Sequence, residues 1–322
     1  FLQTFAYMSY NITTGNWDSS DLMLKLKAEK KAANDFQLRR HDEWTENYDL
    51  YRNKVKTNRL TQRQAVNIPL MKETIKTILA SIDDSPNIEW KETSGDEQKE
   101  LIYQEVWNEK FKSGMYEMVD VLDKKNVLIY GIGVKKLNIE SDGIGADALD
   151  PFDIVFDPLM SPGKVESCRF IVHQNIFKSA REILADDRYT KEGKNEVKIW
   201  LDAPPGVTTA GVNKEKWEEK MKRLEDMGLT NDKFSVYAGG DRLIALTEHF
   251  TTVWDSKKMD WERRVIVYAE DCIELLNEKL EDLIGVEFWP FVAWNEDPET
   301  QDIYADSVGD LIRTPNKVLN VW

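Results

Sequence analysis

The sequence predicts an α+β fold in which helices pack with a mixed or antiparallel β-sheet, and three observations carry that prediction. Apolar residues recur at helical spacing through much of the first 125 residues. Shorter segments rich in β-branched and aromatic residues follow, bounded by glycine, proline and aspartate. The segments run as helices, sheet, helix, sheet, helix, without the regular alternation of a parallel α/β fold. Apolar residues form 41% of the 322 residues, which is enough for a core.

The helical segments are predicted first. Ser19, Ser20 and Asp21 are typical capping residues before a charged helix over residues 21–40. Helical spacing then marks an aromatic segment (Trp44, Tyr48, Tyr51), an aliphatic segment (Ile68, Met71, Ile75, Ile78, Leu79), Asp96–Lys125, Lys178–Asp187, a charged helix over 214–228, and a last helix from Ser307 or Asp310. Pro315 within that last helix predicts a kink or a later start, because proline cannot donate an interior hydrogen bond.

The predicted strands are short and separated by turn residues. They are NIEW (87–90), NVLIYGIGVKKLNIES (126–141), CRFIVHQNIF (168–177), LIALTEHFTTVWD (243–255), WERRVIVYAEDCIEL (261–275) and VEFWPFVAWN (286–295). The segments SDGIGADALD (141–150) and DSKKMD (255–260) are predicted turns. Most of the 11 tryptophans are expected in the core of such a fold.

Charge and motif content exclude several classes of function. Lys and Arg number 43 against 58 Asp and Glu, a net charge of −15, which argues against coating nucleic acid through phosphate neutralisation. The two cysteines, Cys168 and Cys272, lie far apart and give no disulfide framework or zinc ribbon. No apolar run reaches membrane-spanning length, so no membrane partner is expected. The glycine pairs at 131–133 and 142–145 lack a dinucleotide fingerprint, so no cofactor is expected.

The stretch DPFDIVFDP (150–158) allows two interpretations. If the strands that hold His173 and His249 pair, these two histidines could approach Asp153 or Asp157 and form a metal or acid/base centre. Alternatively, aspartate before proline initiates a turn, because its side chain binds the local backbone while proline fixes the next φ. The second interpretation is favoured: a short strand with one apolar face lies between two bends. No catalytic, cofactor-binding or metal residue is therefore assigned, and no enzymatic activity is expected.

The order of these motifs resembles the portal (head-to-tail connector) proteins of tailed bacteriophages, especially the short-tailed podovirus type. WTENYDLYRN and VNIPLMKETIKTILASI lead to PNIEW, and a long helix then feeds the glycine-containing strand NVLIYGIGVKKL. DPFDIVFDP precedes a strand and a helix that opens S-x-x-E in KVESCRFIVHQNIFKSAREI. LTEHFTTVWD, WERRVIVYAEDCIEL and FWPFVAW are similar to later strands of the family. SVGDLIRTPNKVLN is similar to its stem-opening helix, although Thr314 or Pro315 stands near the usual glutamine.

The resemblance implies an arm over 1–40, a portal wing over 41–305 and the start of a stem helix over 306–322, with the rest of a longer protein missing. It implies a structural subunit of a dodecameric homo-oligomeric ring at the portal vertex of the virion, assembled in the host cytoplasm. The implied partners are the major capsid protein, scaffolding protein, terminase, head-to-tail adaptors and double-stranded DNA that passes through without sequence-specific binding. The acidic balance would let DNA slide past wing carboxylates such as Glu296, Asp297 and Glu299.

Two alternatives stay open beside the portal interpretation. One is a metal-dependent hydrolase that uses Asp153, Asp157 and His173, and the other is a different phage head–tail structural protein. On the portal interpretation, exposed aromatic residues such as Trp217 and Trp261 become candidate contacts for neighbouring subunits or capsid.

Overall fold

A computed structural model describes residues 19–54, 68–82, 97–113, 116–140, 143–161, 163–202, 243–255, 259–269, 273–297 and 302–321. The helices in these ranges are α1 (Ser19–Tyr51), α2 (Leu70–Ile82), α3 (Glu97–Ser113), α4 (Tyr116–Tyr130), α5 (Ala180–Ala185), α6 (Lys191–Asp202), α7 (Leu280–Ile284) and α8 (Val308–Val321). The strands are β1 (Gly133–Glu140), β2 (Gly143–Ala148), β3 (Ile154–Phe156), β4 (Phe170–Ser179), β5 (Leu243–Asp255), β6 (Asp260–Ala269), β7 (Ile273–Lys279) and β8 (Phe291–Trp294). The predicted α+β class is confirmed.

The chain divides into two compact units, each built from several segments. The first unit holds the described residues of 1–34, 153–159 and 168–288, and the second holds those of 35–152, 160–167 and 289–322. The continuous helix α1 contributes residues to both. The predicted division into arm, wing and stem stays a prediction.

The first unit is a five-stranded antiparallel sheet in the order β3-β4-β5-β6-β7, with α1 against one face. Leu22 and Leu26 of α1 pack in one cluster with Ile266 and Tyr268 of β6. Further along the helix, Ala33 joins a second cluster with Val155 of β3 and with Phe170 and Val172 of β4. Burial of these apolar side chains between helix and sheet supplies the main stabilisation of this unit.

The second unit combines α2, α3, α4 and α8 with a three-stranded antiparallel sheet in the order β2-β1-β8. Its core includes an aromatic cluster in which the Trp44 ring meets Tyr130, Phe152 and Tyr304 edge-on at centroid distances of 5.2–6.0 Å. Gly131 follows α4 with φ +79°, and a Cβ there would lie 2.0 Å from the Ala305 carbonyl oxygen. This position therefore accepts glycine alone.

Several sequence predictions are wrong in their boundaries. The predicted helix over Asp96–Lys125 is two helices, and α4 continues to Tyr130, so the segment NVLIY is helical and not the start of a strand. The predicted turn SDGIGADALD contains strand β2, which pairs with β1. In both cases pairing and packing in the fold override the local preference of the residues.

The later strands also differ from their predictions. WERRVIVYAEDCIEL forms two antiparallel strands, β6 and β7, rather than one. Only Phe291–Trp294 of VEFWPFVAWN is a strand, and it pairs with β1 in the smaller sheet. Helix α6 is not among the helices that the sequence predicts. Both described sheets are antiparallel, so the mixed alternative is not found there. The predicted strand over 87–90 and helix over 214–228 lie outside the described residues.

Candidate functional site

The two Asp-Pro bends around DPFDIVFDP are built as predicted. Asp150 Oδ1 accepts a hydrogen bond from the Phe152 N–H at 3.1 Å, and Asp157 Oδ1 accepts one from the Leu159 N–H at 2.9 Å. In each bend the aspartate binds the backbone two residues further on, which is the geometry of an Asx turn. The turn prediction is therefore confirmed. One oxygen of each carboxylate accepts a hydrogen bond from the nearby backbone.

The segment between the bends is more deeply buried than the sequence predicted. A 3₁₀ turn spans Pro151–Asp153, and β3 occupies Ile154–Phe156 with all three residues buried. Val155 packs under α1 while its neighbours face the other side of the sheet. The prediction of a single apolar face is wrong, because both faces of β3 are covered.

Asp157 is held by Arg169 as well as by its bend. The guanidinium donates through Nε to Oδ2 at 2.6 Å and through Nη2 to Oδ1 at 2.8 Å, and the Arg169 backbone N–H donates to Oδ2 at 3.2 Å. Burial by itself would raise the pKa of Asp157, but these hydrogen bonds and the positive charge outweigh burial and lower the pKa below its ordinary value. Asp157 is therefore an ionised carboxylate whose two oxygens are already bound within the protein.

Asp153 and His173 have other partners. Asp153 Oδ1 accepts a hydrogen bond from Asn175 Nδ2 at 2.9 Å, and Asn175 adopts φ +58° where the β4–β5 register shifts. His173 lies opposite Glu248 on β5, with 3.4 Å between its Nδ1 and the Glu248 Oε2. Each side chain thus has a partner on a neighbouring strand.

The proposed metal or acid/base centre is not assembled. β3 pairs with β4 and places His173 opposite Ile154, next to Asp153, whereas Asp157 follows the other end of β3. Asp153 and Asp157 are four positions apart, about 13 Å along an extended chain. Within the described ranges, no group of three His, Cys, Asp or Glu residues has an arrangement that could hold a metal ion.

A buried polar cluster that the sequence did not predict surrounds His249. Its Nε2 lies 2.9 Å from Glu29 Oε2 of α1, and Thr251 Oγ1 donates to the same oxygen at 3.1 Å. Burial lowers the pKa of His249, and the hydrogen bond and charge of Glu29 oppose that effect without cancelling it. The cluster ties α1 to β5. The sequence does not predict this cluster, because Glu29 and His249 are 220 positions apart and no spacing pattern predicts a contact over that distance.

A second unpredicted cluster lies around Asp123 on α4. Trp294 Nε1 of β8 donates to Asp123 Oδ2 at 2.6 Å, and Lys135 Nζ of β1 lies 3.4 Å from that oxygen. Asp123 Oδ1 is buried and has no hydrogen-bond partner among the residues that the structure describes. Burial raises the pKa of Asp123, while the Trp294 hydrogen bond and Lys135 partly oppose the rise. This cluster fixes α4 to the three-stranded sheet.

The start of α8 was predicted at Ser307 or Asp310, and both residues form it. The Asp310 N–H donates to Ser307 Oγ at 3.1 Å, and the Ser307 N–H donates to Asp310 Oδ2 at 2.8 Å, a reciprocal cap. Asn47 Nδ2 of α1 also donates to Asp310 Oδ1 at 2.9 Å. Pro315 lies inside the helix, so its interpretation as the true start is wrong.

Large apolar side chains remain exposed in the described residues. Trp261, a predicted contact residue, is 60% exposed, whereas Trp217 lies outside the described residues. Leu311 and Val318 of α8 and Leu101, Ile102 and Val106 of α3 are also exposed. None of the described helices combines the length and apolar character that crossing a membrane would require.

The chain has no match among known protein families or curated sequences. No protein-family model matches it, and no curated protein matches it with significant similarity. The clusters described above therefore rest on their own geometry. Their carboxylates, imidazoles and amides are engaged in caps, turns and helix–sheet contacts.

Proposed function

We propose that the chain is a structural subunit of a phage portal ring, which forms the channel for DNA at one capsid vertex. The observation that carries the proposal is the order of the motifs from WTENYDLYRN to SVGDLIRTPNKVLN, which follows the order in the portal family. In this proposal the aspartates of DPFDIVFDP have a structural role and no catalytic role. The engagement of Asp150 and Asp157 in turns supports that assignment.

Exposed apolar side chains support the homo-oligomeric part of the proposal. Leu311 and Val318 stand seven positions apart on α8 and are 74% and 51% exposed, so they share one side of the helix. Polar contacts from Asn47 and the Ser307 cap hold the start of the same helix. An apolar helix side left in water is typical of a surface that another subunit covers.

Negative-stain imaging of the full-length product is the direct test. The proposal expects rings with a central hole, and sedimentation at a mass many times the 37.4 kDa of this chain. Leu311→Glu with Val318→Glu should reduce the ring fraction, because two charges would be buried at the contact. Leu159→Glu is a matched control, since Leu159 is 77% exposed and belongs to the other unit. A compact monomer with full-length protein would overturn the proposal.

The acidic charge supports a channel that DNA traverses without being held. A surface of net negative charge repels phosphate groups. Glu296 and Asp297 are exposed, and Glu299 lies outside the described residues. If Glu296→Gln with Asp297→Asn leaves DNA packaging unchanged in an assembled particle, these two positions have no tunnel role.

A further inference from the structure

A groove on the first unit combines exposed aromatic rings with an excess of carboxylates. It has a volume of about 650 Å³ and lies between the start of β6, the end of β7, α7 and the loop that follows α7. Leu280 forms a fully buried floor, and Trp261 and Phe288 line the groove while being 60% and 49% exposed. Gly285, at φ +70°, ends α7 and lets the chain turn back toward Phe288. The groove is large enough for one or two side chains of a ligand.

The Trp261 ring is held in place by Trp254 on the neighbouring strand. It lies directly opposite Trp254 across the β5–β6 pair, and the two rings meet edge-on with centroids 5.4 Å apart. The indole is thus held from one side by the hairpin while more than half of its surface stays open. A fixed, open indole is the side chain that binds cations most strongly through its ring face.

The charges around the groove favour a cation. Among the described residues that line it, five are carboxylates and two are cations. Both cations are engaged within the protein: Lys279 Nζ lies 2.8 Å from Glu262 Oε1, and Arg263 Nη1 donates to the Glu287 carbonyl oxygen at 2.7 Å. Glu281 and Asp282 in the first turn of α7 are exposed. The local potential therefore attracts positive charge in addition to the chain's net charge of −15.

We propose that this groove binds a basic segment of a partner protein, with a lysine or arginine side chain held between Trp261 and Phe288 and its charge met by Glu281 and Asp282. The carboxylates would repel nucleic acid and anionic lipid. A second copy of this acidic face would also be repelled, so the charge complementarity points to a basic protein partner. The groove belongs to the first unit and α8 to the second, and the proposal does not depend on the proposed portal function.

Fluorescence anisotropy with a labelled peptide of alternating lysine and glycine tests the proposal. Trp261→Ala should weaken binding about threefold to fivefold, and Trp261→Phe should retain most of it, because an aromatic face remains. Tyr103→Ala on α3 is the matched control, since Tyr103 is 52% exposed and lies in the other unit. An equal loss in the Tyr103 variant would overturn the proposal.

A charge-matched pair separates the groove from the general negative field. Glu281→Gln with Asp282→Asn should weaken the peptide about tenfold at low salt and much less at 0.5 M salt, where the screening length shortens. Glu105→Gln with Glu109→Gln removes the same charge from an exposed side of α3 and should change binding less than about twofold. Equal effects of both pairs would overturn the proposal. Spermidine serves as a competitor of the labelled peptide. If it displaces the peptide as strongly as unlabelled peptide does at the same concentration of positive charge, the groove is a polyamine site and the proposal is overturned.

Discussion

Asp157 and Asp123 are both buried carboxylates, one in each unit, yet their surroundings shift their pKa values in opposite directions. Their side chains are 1% and 0% exposed. Asp157 accepts hydrogen bonds from two backbone N–H groups and a bidentate guanidinium, and its pKa is lowered despite burial. Asp123 has one indole donor and a lysine at 3.4 Å, its Oδ1 is unpartnered, and burial raises its pKa. Burial alone therefore does not decide the direction of a carboxylate's pKa shift; its hydrogen-bond donors and the charges beside it also count.

The largest expected effect is at Asp157. Asp157→Ala removes the acceptor for the Leu159 and Arg169 N–H groups, and we expect it to lower the free energy of unfolding by about 2–3 kcal/mol. The loss should stay below that of a fully buried ion pair, because the Arg169 side chain is 59% exposed and can be solvated. Urea unfolding measures the change. Asp150→Ala, which removes the Asx-turn hydrogen bond from the Phe152 N–H but no bidentate arginine pair, should cost only about 1 kcal/mol; equal losses would contradict the role assigned to Arg169.

Asparagine substitutions compare the two carboxylates directly. Asp123→Asn keeps an acceptor for Trp294 Nε1 and removes a charge that burial disfavours. Lys135 still has an ion-pair partner, because its Nζ lies 2.5 Å from Asp120 Oδ1. We expect a change within about 1 kcal/mol there and a loss of about 2 kcal/mol for Asp157→Asn, which weakens a charge-assisted pair. Urea midpoints of both variants measure the difference. A larger loss at Asp123 than at Asp157 would contradict the weaker engagement assigned here to the Asp123 carboxylate.

The pH dependence of stability should have opposite signs at the two sites. The folded pKa of Asp157 is lowered, so its stabilisation is present above the unfolded pKa of about 4 and disappears as the pH falls through the folded value. The folded pKa of Asp123 is raised, so its contribution is full below about pH 4 and is lost as the pH rises through the folded value. Unfolding free energies from pH 3 to 7 test both signs. Asp157→Asn should flatten the acid side of the profile, and Asp123→Asn should remove the loss above pH 4.

Local chemistry was predictable from the sequence, and long-range partners were not. The Asp150 and Asp157 bends and the Ser307 cap follow from residues two or three positions apart, so short motifs specified them. The contact of Asp123 with Trp294 spans 171 positions and that of Glu29 with His249 spans 220, and no spacing rule reaches that far.

The wrong predictions for the GIGADA and NVLIY segments also come from long-range contacts. The β2 segment GIGADA has the composition of a turn, and it forms a strand because β1 offers it a ladder of hydrogen bonds. The NVLIY segment has the composition of a strand, and it is helical because it continues α4, where Val127, Leu128 and Ile129 are buried. In both segments the structure is decided by packing or pairing with residues outside the short stretch of sequence on which the prediction rests.

The smallest effect is expected at Pro158, and it separates the proline from the carboxylate in the Asp157 bend. Pro158 is partly exposed, and the bend is already closed by the hydrogen bond from the Leu159 N–H to Asp157. Pro158→Ala should therefore act mainly by increasing the conformational freedom of the unfolded chain, at a cost of about 0.5–1 kcal/mol. The measured urea midpoint should fall less than in Asp157→Ala, with the slope unchanged. If Pro158→Ala costs as much as Asp157→Ala, the fixed φ of proline rather than the bound carboxylate holds this bend.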